Sequence, residues 1–228
     1  MLRTMHRPLP EKNLTTLNSL IFSFVIGVFG LYLLSMIKPH GSFYGFLSKS
    51  SAFGLLSLMI YVLSYTPLKR MSTVSIFVGA IPGAIPVLLG WVAATDDFGI
   101  AVGLLFAIQF LWQFPHFISI SWIRDNEYKK AGFKMLPTGS PDKTTAFLIV
   151  FYSLWTIIIS ILPYTRYSGD LNLSIQAAIA LILIGGYFLY FAFKLMHQKT
   201  KKAARNLMYA SIAYISFLQI IYVLDKWI

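Results

Sequence analysis

Three stretches of this 228-residue chain carry side chains whose types and spacing could do chemistry. The first is RTMHRPLP, where Arg3 and Arg7 stand four residues apart. They share a face if the segment is helical, and planar guanidiniums suit bidentate contacts to phosphate. A basic anchor beside a membrane accounts for the same residues equally well. The second is YTPLKRMSTVSIFVGAIPGAIPVLLGW, in which Lys69 and Arg70 precede a segment holding Gly79, Pro82, Gly83, Pro86 and Gly90. Gly79 and Gly83 form a GxxxG pair that permits close backbone approach. The two prolines free carbonyls that must face protein or a cavity rather than lipid. Cations at the mouth of a broken, glycine-rich helix suit an anionic ligand; a positive loop before a tightly packed helix is the plainer alternative. The third is QFLWQFPHFISISWIRDNEYKKAGFKMLP, with Gln109, Gln113 and His116 at i, i+4 and i+7. That spacing makes one polar stripe on a helix. An ionisable residue at membrane depth is a functional candidate, so His116 is read as lining a site. Asp125, Glu127 and Tyr128 follow among basic residues. Carboxylates beside cations fit a magnesium–diphosphate site, and they also fit an ordinary hydrated loop.

The elements that must position these groups are set by hydropathy. The chain is 57% hydrophobic and 12% charged, with a mean hydropathy of +0.69. A soluble domain would be about a quarter charged. All eight acidic residues fall between apolar runs or at their ends, as the cost of a charge in a bilayer core demands. Runs of spanning length are read at 17–37, 45–64, 76–94, 100–123, 145–162, 173–195 and 207–224. The expectation is an all-α, polytopic transmembrane bundle of about seven spans, residues 1–228 forming one domain without linker or repeat. Lys and Arg crowd alternate connections, and the other connections carry Lys38 and Lys49, then Asp96 and Asp97, then Arg166 and Asp170. The positive-inside rule puts the crowded set, and with it any active face, in the cytoplasm. The net charge of +11 then belongs to loops and anionic headgroups in contact with membrane lipids; no soluble module is left to bind nucleic acid. Absence of cysteine excludes disulfides, thiolate metal sites and a Cys nucleophile. The opening MLRTMHRPLPEKN is polar and basic, so no signal peptide is expected.

Taken together, RTxxRPL, YTxLKR with its glycine- and proline-rich helix, and WQxPHF followed by DxxYxxAGxxMLP resemble the protohaem IX farnesyltransferase family (the haem O synthases). These are UbiA-type intramembrane prenyltransferases, and the resemblance runs over essentially the whole chain. It implies a bundle of about nine helices around a cavity open to the cytoplasm. The implied reaction transfers the farnesyl group of farnesyl diphosphate to a vinyl group of haem B, giving haem O for terminal oxidases. Carried over by residue, Arg3, Arg7, Lys69 and Arg70 would hold diphosphate. Asp125 and, less centrally, Glu127 would assist Mg²⁺ bound through that diphosphate, with Tyr128 hydrogen-bonding nearby. His116, supported by Gln113, would face the haem as ligand or proton-handling group. Such enzymes imply an integral protein of the bacterial cell (inner) membrane, with haem A synthase or oxidase assembly proteins as candidate partners. The chain departs from the family upstream of RTxxRPL, where an aspartate-rich segment is expected. Met1 resembles an internal methionine, so the first two helices are expected to be missing and activity to be poor. Two other readings compete: a prenyltransferase for an aromatic quinone precursor, which does not call for WQFPHF, and a non-catalytic haem-carrying or oxidase assembly factor.

Overall fold

The computed structural model describes residues 4–37, 42–43 and 47–227. Arg3 and Lys38 lie outside them. Within the described residues the long elements are α1 (Thr16–Ser35), α2 (Lys49–Met71), α3 (Ser75–Thr95), α4 (Ile100–Ile123), the short α5 (Asp125–Lys130), α6 (Lys143–Ile161), α7 (Ile175–Gln198) and α8 (Lys201–Leu224). A two-residue antiparallel pair, β1 (Ser42–Phe43) with β2 (Leu47–Ser48), lies between α1 and α2. Seven of the helices are long and apolar enough to cross a membrane. The expected all-α, seven-span bundle is therefore what folds.

Helix α4 is the hub and packs on α3, α6 and α8, while α7 bridges α6 and α8. The core is dense in small residues: Ala80 and Ala84 on α3, Ala146 on α6, Ala178 and Ala192 on α7, and Ala203, Ala204 and Ala210 on α8. Small side chains let helices approach closely where lipid supplies no hydrophobic drive between them. Helix α1 buries none of its residues. It is tied to α2 through Ser48 Oγ to Leu34 O (2.9 Å) and Ser51 Oγ to Leu31 O (3.1 Å).

Three boundaries differ by four residues or more from the hydropathy reading. Helix α2 begins at Lys49 rather than 45, after β2 and with Ser48 as its cap. Helix α2 runs past residue 64 to Met71, so Lys69 and Arg70 sit on its last turn rather than in a loop, where cations offset the helix dipole. It accommodates Pro67, which has no N–H to give, just beyond a π-helical stretch, Ile60–Tyr65. Helix α8 begins at Lys201, not 207, because Thr200 caps it by accepting from Ala203 N. Hydropathy counts charged residues against a helix, yet a first turn in the headgroup region tolerates them.

The connections close both ends of the bundle. At one end Lys49 Nζ lies 3.5 Å from Asp96 Oδ1 and 2.6 Å from Asp96 O. There, too, Asp225 accepts from Ser174 N and Ser174 Oγ, joining the start of α7 to the end of α8. At the other end Asp142 caps α6, accepting from Thr145 N at 2.7 Å and from Ser140 Oγ at 3.0 Å. Partial burial pushes its carboxyl up; hydrogen bonds from the Thr145 amide and from the Thr138, Ser140 and Thr145 hydroxyls outweigh that and hold it below its ordinary value.

Candidate functional site

The prolines of α3 are handled by side chains. Pro86 has no N–H for the carbonyl of Pro82, four residues back, and Ser57 Oγ of α2 donates to that carbonyl at 3.3 Å. Two glycines of α3 serve neighbouring side chains rather than neighbouring backbone. A Cβ on Gly79 would stand 2.7 Å from the Tyr65 ring, and one on Gly83 would stand 1.9 Å from Gln113 Oε1. Gln113 is buried, and its Nε2 donates to Ala80 O (3.0 Å) and Gln109 O (3.1 Å). Between α2, α3 and α4 these residues bound a mostly apolar cavity of about 590 Å³, lined among others by Tyr61, Tyr65, Gly79, Gly83, Gln113 and Phe117.

At the end of the bundle where α2 finishes, cations meet the aromatic wall of that cavity. Lys69 Nζ lies 4.8 Å from the Tyr65 ring centre and 5.7 Å from that of Phe133, and the Arg70 guanidinium lies 5.7 Å from Phe133. Cations over π-faces keep their charge while shedding part of their hydration. Lys69, Arg7, Tyr128 and Phe133 together line an open cleft with the 4–14 segment. The 131–137 loop is strapped to the end of α2: Lys134 N donates to Lys69 O (2.8 Å) and Lys134 Nζ to Met71 O (3.1 Å). Those are carbonyls that a helix terminus leaves without partners. Gly132, at φ +73°, gives the turn that brings Phe133 back over Lys69.

Of the residues selected from sequence, Arg7, Lys69 and Tyr128 converge on this mouth, and Arg70 borders it through Phe133. The 4–14 segment folds as turns rather than an α-helix, so the helical condition on which Arg3 and Arg7 would share a face is not met from residue 4 onward; Arg3 itself lies outside the described residues. Asp125 lines an adjoining cleft with Tyr128 and Lys134, and its Oδ2 pairs with Lys129 at 2.9 Å. Glu127 pairs with Arg124 at 2.7 Å. Among the described residues no group of three or more His, Asp or Glu side chains could hold a metal ion. Among the described residues, then, the carboxylates do not fit a metal held by protein alone.

The polar stripe on α4 divides. Gln113 faces the α2–α3 cavity, whereas His116 leans on α8, its Nδ1 2.9 Å from Ser211 Oγ. Ser211 Oγ donates to Met208 O at 2.7 Å, so it accepts from Nδ1–H and leaves the Nε2 lone pair free. This tautomer is assigned from the bonding pattern. Trp112 stacks on the imidazole at 4.8 Å and donates its indole N–H to Ser211 O at 2.6 Å. Residue type and spacing alone assign no role to Tyr65, Trp112, Phe133 or Ser211. The spacing 61, 65, 69 on α2 could have exposed Tyr65 beneath Lys69; nothing local marks Ser211, which lies 95 residues from His116.

A helical membrane bundle with a cationic mouth set over an aromatic, largely apolar cavity is the architecture of an enzyme acting on an amphiphile with an anionic head and a hydrocarbon tail. The chain belongs to the UbiA prenyltransferase family, whose model matches residues 1–218. It is 47% identical to the protoheme IX farnesyltransferase of Flavobacterium psychrophilum over 228 residues, covering 100% of this chain and 73% of that protein. Proteins of the same name from Christiangramia forsetii and Cytophaga hutchinsonii are 46% and 41% identical, over 99% of this chain and 72% and 75% of theirs. No solved structure matches the chain.

Proposed function

We propose that this chain transfers the farnesyl group of farnesyl diphosphate to a vinyl group of haem B, making haem O, and that residues 1–228 work as one prenyltransferase domain. One observation carries the reading: Arg7, Lys69 and Tyr128 ring a mouth directly above the Tyr65-walled cavity. The name shared by relatives at 41–47% identity supplies the substrates. In this reading Arg3, Arg7, Lys69 and Arg70 neutralise the diphosphate as the allylic C–O bond breaks, and Tyr128 donates a hydrogen bond to it. The farnesyl tail lies in the cavity, where aromatic faces stabilise the allylic cation and exclude water. The vinyl carbon closes the new C–C bond, and water quenches the positive charge left beside the ring, releasing a proton. His116 offers its Nε2 lone pair to the acceptor, with Trp112 and Ser211 fixing the imidazole; Gln113 holds the cavity wall beside it. Mg²⁺ bound through the diphosphate would help neutralise the leaving group, and Asp125, with Glu127 in a lesser role, would assist in holding it.

All Lys and Arg except Lys38, Lys49, Arg166 and Lys226 fall at the mouth's end of the alternating connections, which favours a mouth open to the cytoplasm across a bacterial cell membrane. Haem A synthase and oxidase assembly proteins fit as partners, since they would take the product. The test uses detergent-solubilised protein, labelled farnesyl diphosphate, magnesium and haem B. Saturable diphosphate binding and appearance of haem O by mass spectrometry are expected. Haem retention with neither diphosphate binding nor product would refute the enzyme and favour a haem carrier.

A further inference from the structure

The alternating charge pattern leaves four cations at the end of the bundle away from the mouth: Lys38, Lys49, Arg166 and Lys226. Lys49 is paired with Asp96, and Lys38 lies outside the described residues. The other two converge. Arg166 and Lys226 line one polar cleft of about 400 Å³ together with Asn172, Ser174 and Asp225. Among the described residues the Arg166 guanidinium and the Asn172 amide have no protein partner, and Lys226 Nζ donates once, to Asp170 O at 3.0 Å. Both carboxylate oxygens of Asp225 accept from Ser174. The charged side chains lining the cleft therefore carry one net positive charge, and the groups left free are donors. Arg166 is held there at φ +64°, a left-handed conformation that costs a residue with a Cβ about 1–2 kcal/mol.

Lys226 also lines a second cleft of about 360 Å³ between α3, α4 and α8, and the chain runs from one cleft to the other, Leu171 lining the second and Asn172 the first. The second cleft is largely apolar, walled by Val87 on α3, Leu105 on α4 and Ile215, Leu218 and Val223 on α8, with the Gln109 and Gln219 amides as polar exceptions. Val223 and Ile215 are eight residues apart on α8, a descent of about 12 Å. One leaflet of a bilayer contributes about 15 Å of hydrocarbon. The apolar cleft thus has nearly the depth of a leaflet, and its cations stand where headgroups lie. Tyr167 and Trp227, the chain neighbours of Arg166 and Lys226, are each 85% exposed, as aromatics at headgroup level are.

We propose that the two clefts together bind one anionic phospholipid, its phosphodiester between Arg166 and Lys226 and one acyl chain lying against α3, α4 and α8. Charge selects the head: a single phosphodiester balances the one net positive charge, whereas the ammonium of phosphatidylethanolamine already balances its own phosphate. Depth selects the tail, since free phosphate would leave the apolar cleft unfilled. The site lies at the opposite end from the diphosphate mouth and does not depend on the prenyl-transfer reading. Bound there, the lipid braces the 166–174 connection against the end of α8, beside the Ser174–Asp225 and Asp170–Lys226 hydrogen bonds.

The experiment titrates the whole detergent-solubilised chain with phosphatidylglycerol and with phosphatidylethanolamine of the same acyl chains, read by native mass spectrometry and by thermal unfolding. The variants are Arg166→Gln, Lys226→Gln and Val223→Trp; Val223 is 60% exposed, and unfolding without lipid is the control for folding. Wild type is expected to hold one phosphatidylglycerol, more tightly than phosphatidylethanolamine, and to melt higher with it. Each glutamine variant should bind phosphatidylglycerol about tenfold more weakly, the worth of a hydrogen bond to a charged group. Val223→Trp, which fills the apolar cleft, should weaken both lipids. Lys202→Gln at the opposite end should change neither, and farnesyl diphosphate binding should match wild type throughout. Equal affinity for the two lipids, undiminished phosphatidylglycerol binding in both glutamine variants, or wild-type binding by Val223→Trp would each overturn the proposal. So would a dimer that Val223→Trp dissociates, because the apolar cleft would then seat a second copy of the chain.

Discussion

Replacing Gly83 by alanine puts a methyl group where the Gln113 amide now lies. The new Cβ would stand 1.9 Å from Oε1 and 2.8 Å from Cδ, so the side chain must leave. Leaving abandons its hydrogen bonds to Ala80 O and Gln109 O at 3.0 and 3.1 Å. A buried amide left unsatisfied costs about 1–3 kcal/mol. Alanine returns about 0.5–1 kcal/mol through its better helix propensity. The net expectation for G83A is a loss of about 1–2 kcal/mol. Gly90 is the internal control, because a Cβ there meets nothing within 4 Å; G90A should be neutral or slightly stabilising. The assay is chemical unfolding in mixed micelles followed by tryptophan fluorescence, with Q113A completing a double-mutant cycle. Truncating Gln113 removes the clashing amide, so G83A should be far milder in that background, with a coupling of about 1 kcal/mol or more. If G83A is as stable as G90A, or if the two substitutions add without coupling, the claim that these glycines exist to seat side chains is wrong.

Three further outcomes follow from the same geometry. Arg7→Gln and Lys69→Gln should each weaken farnesyl diphosphate binding about tenfold or more, and by less at high salt for Arg7, which is the more exposed; unchanged dissociation constants would remove these residues from the site. Ser57→Ala should destabilise by about 1 kcal/mol, yet be nearly silent in a Pro86→Ala background, where a backbone N–H again reaches Pro82 O; an equal effect in both backgrounds would contradict the proline account. Because the fold holds the Asp142 carboxyl below its ordinary value, its ionised form adds stability that is complete above that value and is lost as pH falls through the folded one. D142N, which keeps a capping oxygen but no charge, should therefore be less stable than wild type at neutral pH. That gap should close below about pH 4, and a gap independent of pH in thermal unfolding would refute it.

The spans, their number and the chemistry of the mouth could be read in the sequence, because a bilayer imposes a local rule: about 20 apolar residues per crossing, with charges at the ends. Even the motif residues Lys69, Tyr128 and His116 could be selected locally, by type and spacing. What could not be read was the company they keep. Hydropathy ended α2 before Lys69, since it does not register that Pro67 is absorbed by a π-helical stretch or that a helix terminus welcomes cations. The i, i+4, i+7 stripe gave Gln113 and His116 a common face, but packing turned one toward the α3 cavity and the other onto Ser211 of α8. Gly79 and Gly83 looked like a backbone contact until Tyr65 and Gln113 were found occupying the space they leave. Sequence by itself determined where the chain crosses the membrane and which end is cationic, because those depend on transfer free energies summed along the chain. Tertiary structure alone decided which cations share a mouth and which amides stand without partners, because those depend on contacts between residues tens of positions apart.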